Sequence, residues 1–363
     1  MLGTSRVHWA LALVATVAVG CGGEGTDTTG GGGGQGGGTT TSSTESTTTS
    51  ESTTTSSTTD GVGGGLTCTG GEGPVLAVSE LAMGEGQSGE WKKVGFDIDG
   101  IESTAVTPGM CKLANGATPN GPYPDGDNGI DNSFGKNLLP LILSLYPTWA
   151  DDINSGILKG TFTSLLKLQC LPPEGDVPVF TSALFGATNL GSTPKFDGTD
   201  EWPVTPELLA DVMDPLSSTV LFAQSSVKGS AFDAGKAETF VLTVPLKTQN
   251  GSTSLKLSLY APRVTMTLSA DRTTATGGMI GGVLKTEEFI TELKKVGALL
   301  NLCDGDIFKN IVDEVRRASD IMADGTQDPE KTCDGITMGL GFEMLAAKIG
   351  VVGPPSPVGE SCQ

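Results

Sequence analysis

Short runs of alternating or β-branched residues, separated by Gly, Pro, Asn and Asp, dominate the chain from residue 68 to about residue 286. In residues 94–99 the alternation puts Phe96 and Ile98 on one face of an extended segment and Asp97 and Asp99 on the other. Residues 160–168, 219–224 and 238–246 read as further strands. Residues 255–260 and 264–270 alternate strictly on either side of Ala261-Pro262, which predicts two antiparallel neighbours with one wet face. Strands at this spacing predict a mainly β fold, built from sandwich- or barrel-like antiparallel sheets.

Helical periodicity interrupts this pattern twice and then takes over. Residues 132–145 can form a helix capped by Asn132 or Ser133 and limited by Pro140. Thr205-Pro206-Glu207 has the N-cap, N1 proline and acidic first turn of a short helix running to about Met213. Residues 287–301 place Phe289, Ile290, Leu293, Val296 and Leu300 on one face, and Asp306 caps a second helix striped by Ile307, Ile311, Val315 and Met322. Residues 341–349, with Phe342, Leu345 and Ile349, read as a third. The expected organisation is a β-rich domain at 66–285 carrying a helical C-terminal unit at 286–363.

The N-terminus follows different rules. Arg6 is the only charge before an apolar stretch at 9–19 that is too short to span a bilayer, which needs about 20 residues. That is the layout of a cleaved signal peptide, residues 1–20. Ala18-Val19-Gly20-Cys21 resembles the lipobox of bacterial lipoproteins, although Ala18 stands where Leu is usual. The resemblance implies that Cys21 carries the lipid and, with Gly22 rather than Asp after it, that the protein resides in the outer membrane of the cell envelope. Residues 22–65 are almost entirely Gly, Ser and Thr and cannot bury apolar surface. As a flexible tether these 44 residues span roughly 35–40 Å.

Composition narrows the chemistry. Apart from Cys21, six cysteines remain: Cys68, Cys111, Cys170, Cys303, Cys333 and Cys362. An even number in an exported protein predicts three disulfides, and Cys303 and Cys333, which bracket a predicted helix, are the expected pair. No Cys-x-x-Cys occurs, which argues against zinc. The net charge is −20, so nucleic acid is not an expected partner. The single histidine, His8, lies in the signal segment. Ser-His-Asp, Cys-His and His-x-x-x-His metal chemistry are therefore removed from the mature protein.

Carboxylates are what remain. Asp125-Gly-Asp-Asn-Gly-Ile-Asp-Asn132 offers Asp125, Asp127, Asn128 and Asp131 as oxygen ligands for calcium, which takes six to eight. The run resembles the Asp-rich loops of EF-hand and thrombospondin-type calcium repeats, but Gly129 stands at the fifth position and no Glu at the twelfth. The competing reading is an Asx-rich turn that caps the next helix. Asp97 and Asp99 read first as the wet face of a strand; the sharper alternative brings them beside Asp125 and Asp127, to share a cation or form an acid–base pair. Asp320, Asp324 and Asp328 read as a solvated loop, because Gly325 and Pro329 interrupt any helix aligning them. Together with residues 333–342, the stretch 90–135 resembles uncharacterised secreted lipoproteins of soil bacteria with large genomes, a resemblance that implies no activity. The expectation is an anchored, non-catalytic, calcium-dependent binding domain for an extracellular or periplasmic ligand. The alternative is a carboxylate-dependent hydrolase of extracellular polysaccharide, which the scarcity of Trp and Tyr disfavours.

Overall fold

The computed structural model describes residues 72–85, 89–248 and 251–363. The signal segment, Cys21, the tether and Cys68 lie outside the described residues. Ten strands form one mixed sheet: β1 (Val75–Ala82), β2 (Thr163–Leu168), β3 (Val177–Ala187), β4 (Asp197–Val204), β5 (Val220–Lys228), β6 (Ala231–Asp233), β7 (Thr239–Thr248), β8 (Gly251–Leu268), β9 (Thr274–Lys285) and β10 (Gly335–Val352). Eight of them pair in the circular order β1-β2-β3-β5-β6-β8-β9-β10, and β10 returns to β1. Every pairing in that ring is antiparallel, so the sheet closes on itself and leaves no free edge there.

Alternation along the strands builds two layers of core. Leu76 and Val78 of β1 and Leu184 of β3 join the main core, whereas their neighbours Ala77 and Ala183 join a second one. Val78, Leu184, Phe222, Val264, Ile280 and Phe342, from six strands of the ring, surround a cavity of only about 20 Å³. The lumen is therefore filled by side chains, as expected of an eight-stranded barrel. Past its pairing with β1, β10 runs on parallel to β4. This outer layer sets Trp202 and Val204 against Ala77, Leu165 and Phe185.

Among the described residues, four α-helices accompany the barrel: α1 (Leu139–Leu145), α2 (Trp149–Leu158), α3 (Thr286–Leu299) and α4 (Asp306–Arg317). Asn132 Oδ1 accepts the Gly135 amide at 2.9 Å and so caps a π-helical turn, Phe134–Leu138, that leads into α1. Pro140 falls in the first turn of α1, where its missing N–H costs nothing. α3 buries Phe289 and Ile290 as their spacing predicts. α4 begins at Asp306 but stops at Arg317, short of Met322.

Several expectations are corrected. Residues 341–349 are not a helix but the middle of β10. Buried and solvated positions do not alternate strictly from Gly341 to Ile349, and Phe342, Leu345 and Ile349 recur three and four residues apart, which imitates a helical stripe. Residues 255–260 and 264–270 are not neighbours; they are two halves of β8. Ala261 takes φ 47° and the register against β9 shifts between Tyr260 and Arg263, so Pro262 sits at a bulge instead of a turn. Residues 94–99 form only an isolated bridge, Phe96 to Asp131, because Gly95 at φ 128° and Gly100 at φ 79° break the extended run. The helix expected after Thr205 is a single 3-10 turn, Pro206–Leu208, since Leu209 is extended and bridges to Ser218.

The disulfides also differ from expectation. Cys303 pairs with Cys362 and Cys111 with Cys333. A short parallel bridge places Cys333 beside Cys111, with Lys112 N donating to Lys331 O at 2.7 Å and Cys333 N to Lys112 O at 2.8 Å. Cys170 is disulfide-bonded as well.

Candidate metal centre

Two glycines prepare the ground for the site. Gly281 of β9 and Gly339 of β10 face each other in register. A Cβ on Gly339 would collide with the Val94 carbonyl, and one on Gly281 would lie 2.7 Å from the Phe96 ring. The loop that starts at Val94 therefore rests directly on bare barrel backbone. Asn132 locks it there: its amide donates to Trp91 O at 3.2 Å and Val94 O at 2.9 Å, and its oxygen accepts the Gly339 amide at 3.2 Å. All the hydrogen-bonding capacity of this buried side chain is used.

The same arrangement brings two aspartate-bearing loops together. Asp131 N donates to Phe96 O at 2.9 Å, and Asp131 Oδ2 accepts the amides of Ile98 at 2.6 Å and Asp99 at 3.4 Å. Asp97, Asp99 and Asp131 each offer a carboxylate oxygen, all within 4.8 Å of one another. Two oxygens bound to one calcium at 2.3–2.6 Å can be at most about 5 Å apart, so these three can share an ion. Asp125 stands next to the group, hydrogen-bonded through both oxygens to the amide and hydroxyl of Ser103.

Of the four residues expected in the 125–132 loop, only Asp131 belongs to the triad. Asp127 and Asn128 are exposed, and Asn128 serves the turn with φ 56°. Asp97 and Asp99, read first as a wet strand face, supply the other two oxygens. Asp320 departs furthest from its reading as a solvated loop residue. It is 6% exposed, and Thr337 donates to it through both its amide, at 2.9 Å, and its hydroxyl, at 2.6 Å. Its burial follows from the bridge between Ile321 and Gly335, which draws the segment onto β10. Gln327 ties the pieces together, donating to Asp99 Oδ2 at 2.7 Å and to Asp320 O at 3.1 Å.

The electrostatics follow from crowding acids into a half-dry place. Burial raises Asp131 to about 9, and the carboxylates of Asp320 and Asp99 add to the rise. Burial lifts Asp320 to about 7 against the opposing hydrogen bonds from Thr337. Asp125 is raised to about 6, again chiefly by burial, and Asp99 is raised for the same reason. Lys136 is the nearby cation. Burial lowers it to about 8 despite the pull of Asp320 and Asp125, and its ammonium donates to Pro124 O at 2.9 Å. Arg263 adds a second positive charge, donating to Asp97 O at 3.2 Å, and the acids still outnumber the cations that reach them.

No protein-family model, curated protein or solved structure matches the chain. The site must therefore be read from its own chemistry. An acidic triad of oxygen donors suits a hard cation. The apolar and charged concavities elsewhere on the surface have none of these carboxylates in their linings. A pair of acids with separated pKa values is also what acid–base catalysis uses, but it needs a cleft to present a substrate.

Proposed function

We propose that the protein is an envelope lipoprotein, anchored through Cys21, whose barrel domain is a non-catalytic, calcium-dependent binding module. The observation that carries the calcium part is the convergence of Asp97, Asp99 and Asp131 within 4.8 Å. Calcium there would replace the proton that Asp131 holds and would fix the loop beginning at Val94 against the loop ending at Asn132. The anchor rests on the resemblance of Ala18–Cys21 to a lipobox and on the Gly/Ser/Thr run that follows. The ligand is to be sought outside nucleic acids, given the net charge of −20.

The test is thermal unfolding of the oxidised mature chain carrying Cys21→Ser, first in EDTA and then in millimolar calcium or magnesium. A cation at 100 times its Kd stabilises the native state by about 2.7 kcal/mol, enough to move the midpoint visibly. A rise with calcium that disappears in Asp131→Asn supports the reading. Superimposable melts in all three buffers would overturn it, and an equal rise with magnesium would replace calcium by an unselective divalent site.

A further inference from the structure

A second site is carried by the helices. Between α1, α3, α4 and the adjoining ends of β7 and β8 lies a pocket of about 80 Å³. Ile142, Leu145, Leu255, Leu293, Val296 and Phe308 are among its walls. Only Tyr146 and Trp149 bring a polar side-chain atom to the lining, and the Tyr146 hydroxyl is spent on Asp152 Oδ2 at 2.7 Å. Gly297 is packed closely by the Phe308 ring, 2.6 Å from where its Cβ would stand, and by Cys362 Sγ of the Cys303–Cys362 disulfide at 3.0 Å.

We infer that this pocket takes the end of one alkyl chain from a single-chain membrane amphiphile with an uncharged or zwitterionic head. A lining without an available polar group can hold only hydrocarbon, because any polar atom carried inside would lose its hydrogen bonds to water. Size narrows the class. An engineered apolar cavity of about 150 Å³ accepts benzene, and a pocket of about half that volume fits a few methylenes better than a ring. Leu145 lines the pocket and is still 45% exposed, so it forms an apolar rim along which the rest of the chain can lie. The head stays in water, and the acidity of the protein disfavours an anionic one. The source follows from the anchor proposed above, on which this inference rests: a lipid on Cys21 would hold the chain at a bilayer.

The test is isothermal titration of the Cys21→Ser mature chain with lauroyl-lysophosphatidylcholine below its micelle threshold. Saturable one-to-one binding with a negative heat-capacity change is expected. Leu293→Trp, which fills the pocket, should weaken binding at least about tenfold, or about 1.4 kcal/mol, whereas Leu221→Trp, at an exposed position of β5, should not. Should Leu293→Trp fail to fold, Val296→Phe reports on the same space. Absence of saturable binding, or binding indifferent to a folded filling variant, overturns the proposal. The acylated wild-type chain is titrated in parallel and should bind equally. Binding seen only without the lipid would make the protein's own acyl chain the occupant and overturn the assignment to a free amphiphile. Mass spectrometry of Cys21 separates the two readings, because an unmodified cysteine removes the anchor and leaves the titration of the pocket as it was.

Discussion

Asp131 Oδ2 accepts the amide of Ile98 at 2.6 Å, so a carboxyl that is 5% exposed orders a loop thirty-three residues before it in the chain. With burial and neighbouring acids raising it to about 9, Asp131 is protonated at neutral pH in the absence of metal. Asp131→Asn, which copies the neutral acid in shape and keeps an acceptor for Ile98, is expected to unfold in EDTA within about 0.5 kcal/mol of the wild type. Asp131→Ala strands the Ile98 amide and should cost about 1–3 kcal/mol. Denaturant unfolding in EDTA distinguishes the two, and equal losses would mean that Asp131 is ionised in the native state.

The pH profile has a definite sign. Asp125, Asp320 and Asp131 are raised from an ordinary carboxylate value of 3.8 to about 6, 7 and 9. The native state therefore binds more protons than the unfolded chain throughout that interval. The stability these groups confer is fully present below about pH 4 and is lost as pH rises through 6 to 9. Asp271, Asp324 and Asp328, lowered by hydrogen bonds to Ser269, Thr326 and Lys331, act with the opposite sign, but only below the ordinary carboxylate range. Melting midpoints in EDTA should fall between pH 5 and pH 8, above which Lys136, lowered to about 8, acts with the opposite sign.

Calcium should reverse that trend. Because the ion competes with protons for the same oxygens, its affinity should increase with pH and its binding should release protons. Calorimetry at pH 8 in two buffers of different ionisation enthalpy measures the release directly. Binding heats independent of buffer would argue that the triad is already ionised.

Gly339→Ala would drive a Cβ into the Val94 carbonyl, whereas Gly341→Ala on the same strand meets Ala82 Cβ at 3.3 Å. The first should destabilise by about 1–3 kcal/mol as an overpacking change and abolish any calcium response. The second should cost much less and leave that response intact. Comparable effects from both would show that the loop does not depend on the bare backbone.

Replacing Cys303 and Cys362 together by Ser should lower stability by about 2–4 kcal/mol, since the bond closes a loop across 59 positions of sequence. Chemical denaturation without reductant measures it, and an unchanged midpoint would show that the C-terminal tail is held by its other contacts.

How far the sequence reveals this architecture depends on where a strand or helix has one wet face. From Leu255 onward β8 alternates between buried and solvated positions, α3 buries one face, and both were legible from their periodicity. In β10, Phe342, Leu345 and Ile349 recur three and four residues apart, a spacing that imitated a helical stripe. α2, with Trp149, Ile153 and Ile157 buried, went unread because Asp151, Asp152, Asn154 and Gly156 mask its stripe. At the site, Asp131 was legible as part of an Asp-rich loop. Its partners Asp97 and Asp99 come from another loop, and Asp320 from beyond residue 300. The local signal for that convergence was the pair of glycine-rich strands, whose Gly281 and Gly339 are the space the loop occupies. Only pairing across the barrel gives them that meaning.

The union of β1 with β10 joins Ala82 to Gly341. During synthesis the first strand must wait for the last, with most of the chain between them already emerged. Until then the apolar faces of β1, β2 and β3 lack both a closed lumen and the outer layer that β4 and β10 supply. Closure between such distant segments slows folding and lengthens the interval in which partly paired strands can associate between molecules. A chain interrupted before residue 335 would not be a smaller version of this domain. It would be an open sheet with two sticky margins, and the cell would have to meet it with chaperones or proteases.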